Sequence, residues 1–221
     1  MSSVLIDLSH IIENGMLTYK GLPAPLICDY LSREASKEKY PPGTEFQIGK
    51  IEMVGNTGTY IDCPFHRYAD GKDLSQTTLQ SFANLKGVTV RADFRNGNEI
   101  GPSFFEKIDV HGKAVLVNTN WSLHWRTDKY FENHPFLSEA AAIYLRDKGA
   151  KLVGIDSHNI DDTRTNSRPV HSILLKAEIL IVEHMCNLSH VPDNNFYFNA
   201  VPPKVKGFGT FPVRAYAEVR E

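Results

Sequence analysis

Short apolar runs divided by turn residues set the pattern of this chain. Val4-Leu5-Ile6-Asp7-Leu8 is a compact strand candidate that ends in Ser9-His10. Residues 15–25 carry Gly15, Gly21, Pro23 and Pro25 and read as a loop. Residues 29–43 are polar, end in Pro41-Pro42-Gly43, and read as a lid-like excursion with room for one helical turn. Residues 45–54 alternate apolar and polar. Phe46, Ile48, Ile51 and Met53 share a face if a bulge falls near Gly49, so a strand is expected there. It delivers the chain into Gly55 to His66, a segment too rich in glycine, threonine and proline to be a helix. Ser75 to Thr78 opens a short helix that Leu79, Phe82 and Leu85 continue up to Gly87.

The second half is more regular. Residues 88–94, 113–118, 151–156 and 179–183 are apolar enough for buried strands. Ser138 to Gly149 is the clearest helix, with a serine cap, an alanine- and leucine-rich interior and a closing glycine. A shorter helix is expected over 102–108, with Pro102 in its first turn, and another over 171–178. Phe196 to Ala200 and Arg214 to Val219 close the sheet. Strands with helices recurring between some of them predict an α/β fold class, a mixed β-sheet with flanking helices, as one domain over residues 1–221.

Composition narrows the function classes. The chain has 221 residues, 42% of them hydrophobic and 23% charged, with a net charge of −2. That gives no basic footprint for nucleic acid, and no apolar run approaches the length that spans a bilayer. The stretch Met1-Ser2-Ser3-Val4-Leu5-Ile6-Asp7 lacks a charged leader region, so a cytoplasmic location and a small-molecule partner are expected. Three cysteines, Cys28, Cys63 and Cys186, with no Cys-x-x-Cys spacing, read as reduced thiols. No phosphate-binding loop, no dinucleotide glycine fingerprint, no Gly-x-Ser-x-Gly elbow and no His-Glu-x-x-His helix is present.

Chemistry therefore falls to histidines and carboxylates from separate segments. Asp62 and His66 lie four residues apart and point to one side of an extended segment. A carboxylate oxygen and an imidazole nitrogen suit zinc, manganese or iron, and His66 equally suits a general base. His171 and Glu183 lie twelve residues apart, across a helix that runs back along the sheet and the strand that follows it. Glu183, at the end of an apolar strand, needs a partner. His10 and His158 are spare imidazoles. Tyr19 sits in a loop where an aromatic can line a pocket mouth, and the aromatic run Trp121 to Tyr130 can line a pocket or pack an interface.

Gly58-Thr59-Tyr60-Ile61-Asp62-Cys63-Pro64-Phe65-His66 resembles the signature of the cyclase family of metal-dependent hydrolases, which includes bacterial kynurenine formamidase and isatin hydrolase. Asp7-Leu8-Ser9, Gly154-Ile155-Asp156, the His171-to-Leu188 segment and Pro203-Lys204 through Pro212-Val213-Arg214-Ala215 resemble further family segments, so the resemblance covers nearly the whole chain. It implies a swivelling β/β/α-type domain, a homodimer or higher homo-oligomer, and hydrolysis of an N-formyl or cyclic amide, or a related ester or lactone. It implies Asp62, His171 and Glu183 as metal ligands, His66 as the acid/base, and Tyr19 as a substrate contact. Two signature histidines are replaced, by Asn56 and Tyr60. Asparagine offers a metal only a neutral oxygen, and tyrosine must first lose a proton of pKa about 10. The expectation is thus one divalent ion, zinc or manganese, or none if those replacements abolish it. The alternative is a metal-free small-molecule-binding or catalytically altered member. A metal-free hydrolase using Tyr60 and His66 is a third reading, and the missing imidazoles argue against kynurenine formamidase activity itself.

Overall fold

The computed structural model describes residues 3–220. The chain runs β1 (Ser3–Asp7), β2 (Leu26–Leu31), α1 (Arg33–Lys37), β3 (Ile48–Glu52), β4 (Tyr60–Asp62) and β5 (Leu85–Arg91). It continues through β6 (Glu99–Ile100), β7 (Ala114–Asn118), β8 (Phe136–Leu137), α2 (Glu139–Asp147), β9 (Leu152–Ile155) and α3 (Pro169–Lys176). It closes with β10 (Leu180–Glu183), β11 (Phe196–Asn199), β12 (Thr210–Pro212) and β13 (Tyr216–Arg220). Nine of these strands form one sheet in the order β1-β13-β11-β5-β7-β9-β10-β4-β12. Its centre, β5-β7-β9-β10, is parallel, and both flanks are antiparallel.

The near-continuous apolar runs occupy the centre because those strands are covered on both faces. Along β7, Val115 and Val117 join the core under α2 and α3, whereas Ala114 and Leu116 join the core on the other face. That alternation is the period-two signature of a strand. Helix α2 starts where expected, with the Ser138 hydroxyl accepting from the Ala141 N–H, and Gly149 follows it at φ +75°. Among the described residues, no helix is long and apolar enough to cross a membrane.

Several expected elements differ. Part of the 29–43 excursion is strand: Asp29 to Leu31 belongs to β2, which pairs with β3 in a separate two-stranded sheet, and only α1 is helical. The irregularity does fall beside Gly49, but the extra residue lies on β2, between Asp29 and Leu31, and not on β3. All five residues of β3 are exposed, so its alternation marks a projecting hairpin, not a face turned to the core. The helix expected from Ser75 to Leu85 reduces to one 3-10 turn at Leu79–Ser81, because Leu85 already pairs with Phe198 in the sheet. The 102–108 helix likewise shrinks to a 3-10 turn at Pro102–Phe104. Helix α3 begins at Pro169, two residues before His171. Strand β12 has no expected counterpart, since Thr210-Phe211-Pro212 is too short to show a period.

Two glycines hold the last segments against the turn that carries His66. A Cβ on Gly209 would sit 2.3 Å from the His66 backbone nitrogen, and one on Gly55 would sit 2.5 Å from the Thr210 carbonyl oxygen. Backbone on both sides cannot yield as a flexible side chain can. Gly209→Ala is expected to lower stability by about 1–3 kcal/mol, read as a reduced urea midpoint at unchanged m; an unchanged midpoint would show that the turn at His66 can move aside.

Candidate active site

The strand register assembles the polar group. On β4, Tyr60 and Asp62 point to the same face because they are two residues apart. Across the β4–β10 ladder Tyr60 stands opposite Glu183, and across the β4–β12 ladder Asp62 stands opposite Thr210. Directly opposed residues are side-chain neighbours. The Tyr60 hydroxyl accordingly donates to Glu183 Oε2 at 2.6 Å, and the Thr210 hydroxyl donates to Asp62 Oδ1. The second oxygen of Glu183, Oε1, accepts from the Ile160 N–H at 2.6 Å.

Helix α3 brings the imidazole. It connects parallel strands β9 and β10, so its start lies over the ends of those strands, beside Glu183. Asp161 fixes that start. Its carboxylate accepts from the Val170 N–H at 2.7 Å, the His171 N–H at 3.0 Å and His171 Nδ1 at 2.6 Å. With Nδ1 engaged, His171 presents Nε2 inward, 3.7 Å from Asp62 Oδ2 and 3.7 Å from Glu183 Oε1. His66 lies at the outer side, on the 3-10 turn Pro64–His66. Its Nδ1 is 2.7 Å from the Thr210 hydroxyl oxygen. Because that hydroxyl gives its proton to Asp62, the oxygen is left to accept, so the neutral tautomer of His66 that this contact selects carries its hydrogen on Nδ1. In that tautomer Nε2 of His66 is the acceptor.

Tyr60, His66, His171 and Glu183 border one cavity of about 390 Å³, which Tyr19 and Asn56 also line, while Asp62 lies buried beside them. Asp62, Tyr60, His171 and Glu183 are buried, and His66 is exposed at the rim. Burial works against the Asp62 carboxylate, but His66, His171 and Thr210 outweigh it and hold its pKa below the ordinary value. Burial pushes Glu183 up to about 7, with Asp62 adding to the rise and His171 opposing it. Burial also works against a charged His171, yet Glu183, Asp161 and Asp62 together push it up to about 10. Tyr60 is raised well above 10 by burial and by the Glu183 and Asp62 charges, so it remains a hydroxyl donor.

The donor set fits one divalent ion. Asp62 Oδ2 is buried and has no hydrogen-bond partner. Asp62, His66 and His171 each offer a ligand atom within 4.8 Å of the others. Two ligands held about 2.0–2.2 Å from one tetrahedral ion stand roughly 3.4 Å apart, close to the 3.7 Å that separates His171 Nε2 from each carboxylate. A second ion at Asn56 and Tyr60 does not fit, because the tyrosine hydroxyl keeps its proton and spends it on Glu183.

The model of the Cyclase family, described as "Putative cyclase", matches residues 6–162 of the chain. The chain is 31% identical over 216 residues to a kynurenine formamidase of Bacillus anthracis, covering 97% of both proteins. It is also 31% identical over 215 residues to a kynurenine formamidase of Bacillus cereus, again with 97% of each covered. This chain belongs to the cyclase family. A solved structure described as a potential metal-dependent hydrolase with cyclase activity is 26% identical and superposes with a TM-score of 0.79 over 100% of both chains. Isatin hydrolase A from Labrenzia aggregata, at 18% identity, shares the fold, with a TM-score of 0.84 over 99% of this chain and 94% of its own.

The cyclase-family chain thus brings together Asn56, Tyr60, Asp62, His66, His171 and Glu183, and Tyr19 reaches the same cavity. The aromatic run does not: Trp121 and Tyr130 are core residues, and no residue from 121 to 130 lines the cavity. His10 and His158 stay apart from the Asp62 group. His10 stacks on Trp125 at 4.0 Å, and His158 packs 5.4 Å from the buried His184. Burial pushes His10 down to about 4 and His158 to about 3, so both are neutral. Sequence reasoning missed Asp161, whose only signal is an acid ahead of a proline-led helix, and Thr210, whose role appears only through the β4–β12 register. It also missed Asn159, Arg67 and Arg168 at the cavity.

Tyr60→Phe leaves Glu183 Oε2 buried without its donor and is expected to cost about 1–3 kcal/mol of stability, measured by urea unfolding; no change would show that water replaces the hydroxyl. In protein stripped of divalent ions, the His171 pKa lies above its ordinary 6.5. Its stabilising contribution is then complete below pH 6.5 and lost as pH rises through about 10. His171→Gln should therefore flatten the stability decline over that window, and an unaltered slope would contradict the assignment.

Proposed function

We propose that the chain hydrolyses an N-formyl or cyclic amide, or a related ester or lactone, of a small molecule with the aid of one divalent ion. Family membership carries the coarser statement, a hydrolase of carbon–nitrogen bonds other than peptide bonds. The single observation that supports the finer one is the unpartnered Asp62 Oδ2, facing His171 Nε2 beside Glu183 at the cavity floor. Asp62, His171 and Glu183 would hold the ion, and their oxygen and nitrogen donors suit zinc or manganese. When bound, such an ion supplies Lewis acidity that polarises an amide carbonyl and eases proton loss from water.

The remaining steps fall to the chain's own groups. His66, with Nδ1 tied to Thr210, offers Nε2 to take a proton from water and return it to the leaving nitrogen. Tyr60 and the Ile160 N–H hold both oxygens of Glu183 in place. Asp161 fixes the ring of His171, so that Nε2 and not Nδ1 faces the floor. Tyr19 lies at the cavity wall as the substrate contact. The same reading includes a cytoplasmic homodimer. The β2–β3 hairpin supports it, because Leu26, Tyr30, Ile48 and Ile51 are exposed there and a second copy would cover them.

The Tyr60–Glu183 hydrogen bond favours a second reading, a metal-free binding protein in which the tyrosine fills a former ligand position. Hydrolysis of formanilide and of simple lactones decides between the two. His66→Ala should lower kcat by about 10²–10⁴, and Glu183→Ala should abolish turnover together with the stabilisation that added divalent ions give. Wild-type turnover that survives exhaustive chelation would overturn the metal-assisted reading.

A further inference from the structure

The chain contains two Asn-Gly pairs, Asn14-Gly15 and Asn96-Gly97. Asparagine is thermolabile, and such a pair can react with itself. Glycine has no Cβ to shield its backbone nitrogen, so that nitrogen can approach the side-chain carbon of the asparagine before it. The reaction needs water at the pair, space for a five-membered ring, and reacting groups that no other contact holds. Both pairs are exposed, and a Cβ on either glycine would meet nothing within 4 Å. Water and space therefore do not distinguish them.

Hydrogen bonding does. The first pair is tied at both reacting groups. Asn14 Oδ1 accepts from the Ile27 N–H at 2.8 Å, and the Gly15 N–H donates to the Pro25 carbonyl at 2.8 Å. Together these bonds close the base of the loop that carries Tyr19 to the cavity. Attack at Asn14 breaks both. The Asn96 side chain, in contrast, makes no hydrogen bond among the described residues, although its neighbours Arg95 and Asn98 do. The Gly97 N–H has one, to the Phe94 carbonyl at 3.2 Å, at the end of the single 3-10 turn Phe94–Asn96. The last link of so short a turn opens readily.

We propose that Asn96 is a site of spontaneous deamidation in the folded protein and that the fold protects Asn14 from the same reaction. The Gly97 nitrogen bonds to Cγ of Asn96, the Cγ–Nδ2 bond breaks, and the displaced proton leaves with the Nδ2 group as ammonia. A cyclic imide remains. Water opens it at either carbonyl, giving aspartate or isoaspartate, so one water is consumed, one ammonia is released and nothing is oxidised. The product adds one negative charge beside the Arg95–Asp93 ion pair, on a chain whose net charge is −2. Isoaspartate also lengthens the main chain by one methylene. Asn98 stays anchored just beyond, its Nδ2 donating to the Asn133 carbonyl at 2.7 Å, and none of residues 94–98 lines the cavity. The change is confined to the turn that leads into β6.

Incubating the full chain in mildly alkaline buffer, then digesting it with trypsin for mass spectrometry, follows both pairs in one sample. Cleavage after Lys20 isolates residues 1–20 with Asn14, and cleavage after Arg95 and Lys107 isolates residues 96–107. Fragmentation of the second peptide separates Asn96 from Asn98. In folded protein Asn96 should convert at least about tenfold faster than Asn14, whose two bonds must open first. An acidic species should grow in step on anion exchange, and Asn96→Gln should remove it. In urea the two pairs should convert at similar rates, because the fold alone separates them; this comparison uses wild-type chain and does not depend on how the variant folds. Folded protein that leaves Asn96 unchanged, Asn14 that converts as fast as Asn96, or a gap between them that persists in urea would overturn the proposal.

Discussion

Two carboxylates buried on adjacent strands constrain the rest of this structure. Asp62 and Glu183 lie on β4 and β10, almost fully removed from water. Buried charges of one sign raise each other's pKa and demand compensation. Every polar neighbour at the site serves that demand. Tyr60 and the Ile160 N–H donate to Glu183, Thr210 donates to Asp62, and His171 sits between them with its pKa driven up to about 10. Asp161 fixes the imidazole from behind, and the α3 N-terminus fixes Asp161. One oxygen, Asp62 Oδ2, is left without a partner. A proton on His171 or a divalent ion can each answer that surplus of negative charge, which is why the site reads as a metal centre.

The replacement of two imidazoles by Asn56 and Tyr60 makes sense within this electrostatic scheme. An imidazole opposite Glu183 would offer a lone pair to a second ion. Tyr60 offers a proton instead, and its hydroxyl takes up one oxygen of the carboxylate that the ion would otherwise share. Tyr60 thereby balances part of the negative charge at the floor with a hydrogen bond. The neutral buried imidazoles behind Tyr60, His158 and His184, follow from the same burial.

Much of the fold is legible in the sequence because the central strands are covered on both faces and read as unbroken apolar runs. Val115 to Val117 and Ile181 to Val182 need no alternation to be recognised. The hairpin of β2 and β3 is less legible: alternation in residues 45–54 promises a core-facing strand, but Ile48 and Ile51 project into solvent. Leu79, Phe82 and Leu85 satisfy helical spacing and lose to sheet pairing at Leu85. At the site, residue type and spacing offer Asp62, His66, His171 and Glu183 as candidates, and the resemblance to the cyclase family selects them. Thr210 and Asp161 cannot be named in that way, because their roles come from which strands pair and where a helix starts.

The central proposal is that this site would hold one ion, at Asp62, His171 and Glu183, and that Tyr60 closes the second position. Metal content per chain, measured by plasma mass spectrometry on tag-free protein loaded with zinc or manganese and then desalted, tests it most directly. The account predicts one ion per chain, lost in Glu183→Ala. Two ions per chain, or none after loading, would contradict it.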